Sequence, residues 1–307
     1  MKALIDETSI STNHSDGLVT LTKTKLLALL EVVLVFAALE GLQVLWSSTG
    51  IPQWETKNLG WSYTGMLWWV AVPALMIWLP RRNWAEYGVS LVNWPTNLDI
   101  GIKAFLVTFI PLVFGLGGAM QLGLDPNKVS GGLFVAMTEV IGLALMVWIL
   151  NRQKPVKSGR RNVISILLLL LLPILVALAM GRLTVVIVST VVWQFIFSGF
   201  GEEFAFRGYF QSRLNQAFGR PMRLFGIQFG AGLIIASLLF GLWHVENTYD
   251  PAVGFSSLAW GWGLWTFVAG LFFGVLREKT GTLLAPGLAH GLPDAVGEPL
   301  RLLFGLM

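Results

Sequence analysis

Apolar runs of about 20 residues recur along the whole chain, and they limit the folds that it can adopt. A transmembrane helix needs roughly 20 mostly apolar residues, and in lipid only helices and closed barrels satisfy their own backbone hydrogen bonds. The sequence is 55% hydrophobic and only 12% charged, about half the charged fraction of a typical soluble domain. These features predict an all-α, polytopic membrane helical bundle.

The bundle should contain about eight to nine transmembrane helices around a polar intramembrane cavity. The last run contains Pro286, Pro293 and Pro299 and is expected to be bent or split into two half-helices. The chain divides into a polar N-terminal tail over residues 1–25, transmembrane helices over 26–181 and a second group of helices over 182–307. The predicted helices are 27–46, 60–79, 102–124, 132–150, 163–180, 183–218, 225–244, 258–276 and 282–307.

Basic residues predict the orientation of these helices. When the N-terminus is placed in the cytoplasm and the sides alternate, 17 of the 21 Lys and Arg residues fall on the cytoplasmic side. An excess of Lys and Arg in cytoplasmic loops is the usual rule for membrane proteins. We therefore expect a multi-pass protein of the plasma membrane with a cytoplasmic N-terminus. The lipid bilayer is one partner, and a net charge of +4 gives no reason to expect nucleic acid.

Two adjacent acids and an arginine stand at the end of the sixth apolar run. Charged groups at membrane depth are expensive and usually functional, although a charged helix end is the alternative interpretation. Glu203 and Arg207 are four residues apart, a spacing that supports an ion pair on one helix face. Glu202 should point about 100° away from Glu203 on an α-helix, so it is free to face a cavity as a reactive carboxylate.

Histidine is rare in this sequence, and two of its three copies lie in apolar segments. His14 belongs to the polar tail, whereas His244 and His290 come late in the chain, with Asp294 four residues after His290. Each is either a functional imidazole or a packed one bonded to a helix carbonyl. There is no cysteine, which excludes disulfides, thiolate metal sites and a cysteine nucleophile. Glu31, Glu40 and Glu139 are further acids within apolar runs and match no motif.

Together these residues resemble the CPBP intramembrane proteases, which include the type II CAAX prenyl endopeptidases and the Abi proteins. The family pattern is EExxxR, then FxxxH, then HxxxN or HxxxD. It corresponds here to Glu202-Glu203 with Arg207, to Phe240 with His244, and to His290 with Asp294. The resemblance covers about residues 185–295, and the first 180 residues are similar in hydrophobicity alone.

The resemblance implies an intramembrane endopeptidase that hydrolyses a membrane-associated or prenylated peptide. Glu202, assisted by His244, would activate a water molecule, while Glu203 and Arg207 would fix the site. His290 and residue 294 would stabilise the oxyanion, but the carboxylate of Asp294 cannot donate a hydrogen bond unless it is protonated. Orienting His290 is therefore the role we expect of Asp294.

Two questions stay open at this stage. The first concerns metal: a glutamic protease without a cofactor is favoured, and zinc held by two histidines and a glutamate is the alternative. The second concerns function: an ion- or proton-coupled transporter and an inactive immunity or scaffold protein of the same family are the competing classes. The natural substrate and the oligomeric state are not readable from the sequence.

A single active site also sets a condition on the sixth helix. Simple counting puts Glu202 near the cytoplasmic end of that helix and His244 near the outer end of the next. The two can share a site only if the sixth helix continues in the membrane beyond Glu202. Arg207 would then lie within the bilayer, where its pairing with Glu203 becomes necessary.

Overall fold

The computed structural model describes residues 8–250 and 252–305, with the backbone alone over residues 8–21. A two-stranded antiparallel hairpin, β1 (Met222–Leu224) and β2 (Ile227–Phe229), interrupts an otherwise helical chain. The helices are α1 (Thr8–Ser47), α2 (Ile51–Leu59), α3 (Thr64–Trp78), α4 (Trp94–Gln121), α5 (Val129–Arg152), α6 (Arg160–Ala179), α7 (Val185–Phe218), α8 (Ala231–Val245), α9 (Trp260–Thr280) and α10 (Leu284–Phe304).

The protein is a multi-pass membrane helical bundle, as predicted. Within the described residues, five helices are long and apolar enough to cross a membrane: residues Thr22–Ser47 of α1, and α4, α5, α6 and α7. Helix α3 is apolar but shorter. The expected count of eight to nine spanning helices is therefore not confirmed. The polar intramembrane cavity stays a prediction.

Helix α6 illustrates how the bundle meets lipid. Many of its leucines are exposed, on a helix that is apolar around most of its circumference. A helix of this composition belongs in a membrane rather than on a water-facing surface. The exposed leucines are Leu167, Leu168, Leu171, Leu172, Leu175 and Leu178.

Helix α1 extends into the polar tail predicted over residues 1–25. Helix α1 already begins at Thr8, because no proline separates the polar residues from the apolar run and the helix can extend through residues of ordinary propensity. Residues 1–7 lie outside the described residues. So does the side chain of His14, which was assigned to the tail.

A second difference is the hairpin, which occupies the start of the helix predicted over 225–244. Phe225 and Gly226 have φ angles of 47° and 81°. Two consecutive positive φ angles produce the tight two-residue turn that joins twisted antiparallel strands. The helix, α8, therefore begins only at Ala231.

Helix α10 is continuous over Leu284–Phe304, so the split into two half-helices that was expected at its prolines is wrong. Pro286 lies in the first turn of the helix, where a backbone N–H has no partner within the helix in any case. Pro293 and Pro299 lie inside the helix without ending it. One unbroken helix consequently carries both His290 and Asp294.

Helix α7 is central to the packing, and α10 lies directly against it. Gly199 of α7 faces Gly291 of α10, and a Cβ atom at Gly199 would come within 2.4 Å of the Gly291 Cα atom. Small residues allow membrane helices to approach at backbone distance. This contact brings the acids of α7 next to the histidine of α10.

We expect Gly199→Ala to destabilise the bundle by about 1–3 kcal/mol, the usual cost of overpacking a tight contact. Gly297→Ala on α10 is the control, since its added methyl group would only touch the Phe109 ring at 3.5 Å. Thermal unfolding of both variants in detergent measures the difference. Equal stability of the two variants would contradict the close helix contact.

Candidate active site

Helix α7 carries the two acids and the arginine in an unusual winding. Trp193–Glu202 and Phe204–Gln211 are π-helical, with hydrogen bonds that reach one residue farther than in an α-helix. Such segments occur frequently at functional sites. The helix runs without a break from Val185 to Phe218. The continuation beyond Glu202 that a single site requires is therefore confirmed.

The predicted ion pair between Glu203 and Arg207 is confirmed. The Nη1 atom of Arg207 donates to Oε1 of Glu203 at 2.7 Å, and both side chains are fully buried. The guanidinium lies 4.3 Å from the Phe240 ring centroid and 5.1 Å from that of Phe273, distances at which a cation is attracted to the ring face. The charge is thus compensated by one carboxylate and by aromatic rings.

His290 is held by the same carboxylate. Its Nδ1 atom lies 3.0 Å from Oε1 of Glu203, and its ring stacks on Phe273 with centroids 4.8 Å apart. A carboxylate paired with an arginine can only accept hydrogen bonds, so Nδ1 carries the proton in this contact. The other ring nitrogen, Nε2, consequently points away from Glu203.

The Nε2 side of His290 faces the second acid. Oε2 of Glu202 and Oδ2 of Asp294 each lie 3.7 Å from Nε2. Both acids of the Glu202-Glu203 pair therefore meet the same imidazole through its two different nitrogens. The two carboxylates thus approach the imidazole at different nitrogens, and the reactive role expected of Glu202 stays a prediction.

Ser198 is a member of this cluster that the sequence did not reveal. Its hydroxyl lies 3.5 Å from Nε2 of His290. The only signal was a small polar residue four positions before Glu202 in an apolar run. Phe273, which stacks on His290, gave no signal in a single sequence.

Asp294 differs from its neighbours in exposure. About 32% of its side chain is accessible, against 4% for Glu202. Its contact with His290 is longer than that of Glu203. Glu203 is thus the residue with the direct hydrogen bond to His290, the contact that the sequence had suggested for Asp294.

His244 lies beside the cluster rather than within its hydrogen bonds. Its Nδ1 atom donates to the Phe240 carbonyl at 2.8 Å, so Nε2 is available to another group. Phe240 also touches both imidazoles, with ring centroids 4.4 Å from His244 and 5.7 Å from His290. Among the residues that the structure describes, no hydrogen bond or ion pair joins His244 to Glu202.

Two buried oxygen atoms in the cluster lack a hydrogen-bonding partner within the described part of the chain. They are Oε2 of Glu202 and Oε2 of Glu203. Leaving a buried acceptor unsatisfied is costly, and such groups call for an explanation such as a catalytic role. The Oε2 atom of Glu202 is also the atom that faces His290. A polar ligand that reaches this atom would gain a strong hydrogen bond.

The arrangement does not suit a metal ion. In the described ranges, no group of three or more His, Asp or Glu side chains is placed so that it could hold one. Nδ1 of His290 binds Glu203 and Nδ1 of His244 binds a carbonyl, so Nε2 is the free nitrogen of each imidazole. We therefore derive no step that passes through zinc.

The other acids in apolar segments do not join this cluster. Glu31 of α1 accepts hydrogen bonds from Arg82, Tyr209 and Arg213 and so bonds across helices. Its hydrogen bond raises the pKa of Arg82 above the usual range. Buried oxygen atoms of Glu40 and Glu139 have no partner among the described residues.

One comparison with known proteins gives a match. Residues 184–296 match the family model described as type II CAAX prenyl endopeptidase Rce1-like. The matched region begins just before α7 and ends just after Asp294, so it contains the whole cluster. No curated protein and no solved structure matches the chain.

The buried ion pair gives a stability prediction. Arg207→Met should destabilise the protein by about 3–5 kcal/mol, because Glu203 keeps a buried charge without its partner. Adding Glu203→Gln to Arg207→Met should recover part of the loss. Unfolding in detergent measures each free energy.

Lys103→Met provides the matched control. Lys103 pairs with Asp99 at the same four-residue spacing and at 2.6 Å, but 43% of the Lys103 side chain is exposed. An exposed pair contributes at most about 1 kcal/mol. If Arg207→Met costs no more than Lys103→Met, the buried pair does not have the role that we assign to it.

Proposed function

We propose that the protein is an intramembrane endopeptidase, because residues 184–296 match the model of the Rce1-like type II CAAX prenyl endopeptidases. Its substrate is a membrane-associated or prenylated peptide. The observation that carries the proposal is the position of His290 between Glu202 and the buried Glu203–Arg207 pair. The membrane is the plasma membrane, and the N-terminus is cytoplasmic.

Glu202 is the proposed general base. Its Oε2 atom is buried and has no hydrogen-bonding partner among the described residues, so it can accept a proton from a water molecule. The water loses that proton to Glu202 as its oxygen bonds to the carbonyl carbon of the peptide. Positioned proton transfer of this kind accelerates reactions by about 10²–10⁴-fold.

His290 is the proposed oxyanion donor. Nδ1 donates to Glu203, which leaves Nε2 directed towards Glu202 and Asp294. As an imidazolium, His290 donates through both nitrogens, so Nε2 can bind the oxygen on which negative charge develops. Donors held in place before the reaction stabilise such a charge with little reorganisation. The Glu203–Arg207 pair provides that rigidity.

The reaction ends with the proton on the leaving group. The tetrahedral intermediate collapses, the carbon–nitrogen bond breaks, and Glu202 returns its proton to the departing amine. One water is consumed, and a carboxylate and an amine are formed. The Ser198 hydroxyl lies beside Nε2 of His290, and Asp294, which is more exposed than Glu202, lies where a substrate can approach.

His244 assists through its remaining nitrogen. Since Nδ1 is occupied by the Phe240 carbonyl, Nε2 is the atom that can bind the attacking water from a second side. Phe240 supports both imidazoles, so it sets the spacing between this water and His290. Neither a transporter nor an inactive scaffold protein has support from the family match.

Substitution of the base tests the proposal. Glu202→Gln should lower kcat/KM for a farnesylated peptide in liposomes by about 10²–10⁴-fold, because the amide cannot take the proton from water. His244→Ala should also lower the rate, since the water loses its second contact. The measurement is mass spectrometry of the products.

Glu139→Gln is the control for this experiment. Glu139 is also a buried acid of a spanning helix with an unpartnered oxygen, yet it lies outside the cluster and should keep wild-type activity. Equal cleavage by the wild type, Glu202→Gln and His244→Ala would refute the proposed protease activity.

A chelator test separates the two catalytic types. The metal-independent mechanism predicts full activity after prolonged incubation with a chelator, followed by its removal. Activity that is lost and then restored by zinc would instead assign the water activation to a metal ion. Glu202→Gln in parallel measures the background cleavage.

A further inference from the structure

The hairpin between α7 and α8 forms one wall of a pocket at the end of the bundle. The pocket has a volume of about 350 Å³ and is lined by both strands and by the end of α9. Three of its lining residues are cations and one is an acid. They are Arg220, Arg223, Lys279 and Glu278.

The single acid is already neutralised. Glu278 is 1% exposed and accepts hydrogen bonds from Gln211, Asn215 and Arg220, the last at 2.5 Å. This contact uses the Nε atom of Arg220 and fixes the direction of its guanidinium. The side chains of Arg223 and Lys279 have no ion pair or hydrogen bond among the described residues. The pocket thus keeps an excess of positive charge for an anionic ligand.

The tip of the hairpin next to this pocket is apolar and exposed. Phe225 is 74% exposed and Leu224 is 56% exposed. Phe225 also has a φ of 47°, where asparagine or glycine is usual and a bulky side chain is strained. An exposed aromatic ring in an unfavourable backbone position is not explained by the folded chain itself. Insertion of this ring among lipid acyl chains explains it.

The hairpin also lies at the end of the bundle where basic residues concentrate. The Nδ2 atom of Asn151 donates to the Phe225 carbonyl at 2.6 Å, and Asn151 lies in the last turn of α5, just before the basic loop between α5 and α6. Basic pockets on the cytoplasmic side of membrane proteins suit anionic lipid headgroups. The hairpin joins two apolar helices, α7 and α8, and from this connection we infer that it lies at the membrane–water interface.

We propose that this pocket binds the phosphate of an anionic phospholipid headgroup, with Phe225 and Leu224 inserted beside the acyl chains. Arg220, Arg223 and Lys279 contact the phosphate, and Glu278 holds Arg220 in place. The site is independent of the cluster around Glu202. Failure of the proposed proteolysis would therefore leave the lipid site unaffected, and failure of the lipid site would leave the proteolysis unaffected.

The test uses the full chain in detergent and short-chain phosphatidylglycerol as the probe. Arg223→Gln/Lys279→Gln removes two cations and leaves the Arg220–Glu278 contact intact. At about 1 kcal/mol for each cation near a membrane surface, the affinity should fall roughly 30-fold. Native mass spectrometry of the bound lipid gives the affinity.

Lys154→Gln/Lys157→Gln is the matched control, since it removes the same charge from the basic loop outside the pocket. It should change the affinity by less than about twofold if the pocket alone binds the headgroup. An equal loss in both double variants, or equal binding of phosphatidylcholine by the wild type, would overturn the site.

A third variant tests the inserted ring without risk to the fold. Phe225→Asn suits the turn better than phenylalanine, so thermal stability should be equal or higher while phosphatidylglycerol binding weakens. Unchanged lipid binding by Phe225→Asn would overturn the insertion of the ring.

Two further measurements identify which molecule supplies the negative charge that the pocket binds. Inorganic phosphate should compete only weakly, and competition as strong as that of the lipid would make this a site for free phosphate. The pocket variant should cleave peptides with a free or an amidated C-terminus as the wild type does. A defect confined to the free carboxylate would instead assign the pocket to the substrate.

Discussion

The ion pair between Glu203 and Arg207 is the interaction on which the candidate site depends. Two fully buried opposite charges are stable only when they pair with each other. Here Glu203 accepts a hydrogen bond from Arg207 and another from His290. Glu203 therefore anchors two side chains with one oxygen. This anchoring leaves Glu202, the neighbouring acid, facing the free nitrogen of the same imidazole. Adjacent residues of identical chemistry thus make different contacts because their surroundings differ.

Much of this could be predicted from the sequence, because hydrophobic periods and charged residues in apolar runs are strong signals. The limits of α7, and the ion pair that the four-residue spacing of Glu203 and Arg207 allows, could be predicted from such signals. Contacts between segments that are distant in the sequence could not be predicted in this way. The shared imidazole depends on the π-helical winding of α7 and on the close approach of Gly199 and Gly291. Neither property is encoded in local hydrophobicity.

The errors also have local causes. The hairpin was missed because Leu224, Phe225 and Ile227 read as part of an apolar helix, whereas Gly226 at positive φ turns the chain. Helix α2 was missed because Ile51–Leu59 is too short and too polar to resemble a spanning helix. The contact of Ser198 with His290 depends on the packing of α7 against α10, which local sequence does not show. The basic pocket and the cluster around Glu202 thus differ in how far single segments of the sequence reveal them.

The protonation of His290 is the most direct test of the account. With only three histidines in the chain, ¹⁵N-histidine labelling gives a spectrum simple enough to assign with a His290→Gln variant in lipid nanodiscs. The account predicts that Nδ1 of His290 carries a proton in a hydrogen bond to a carboxylate, and that Glu203→Gln abolishes this signature. A His290 Nδ1 without a proton in the wild type, or a spectrum that Glu203→Gln leaves unchanged, would contradict it.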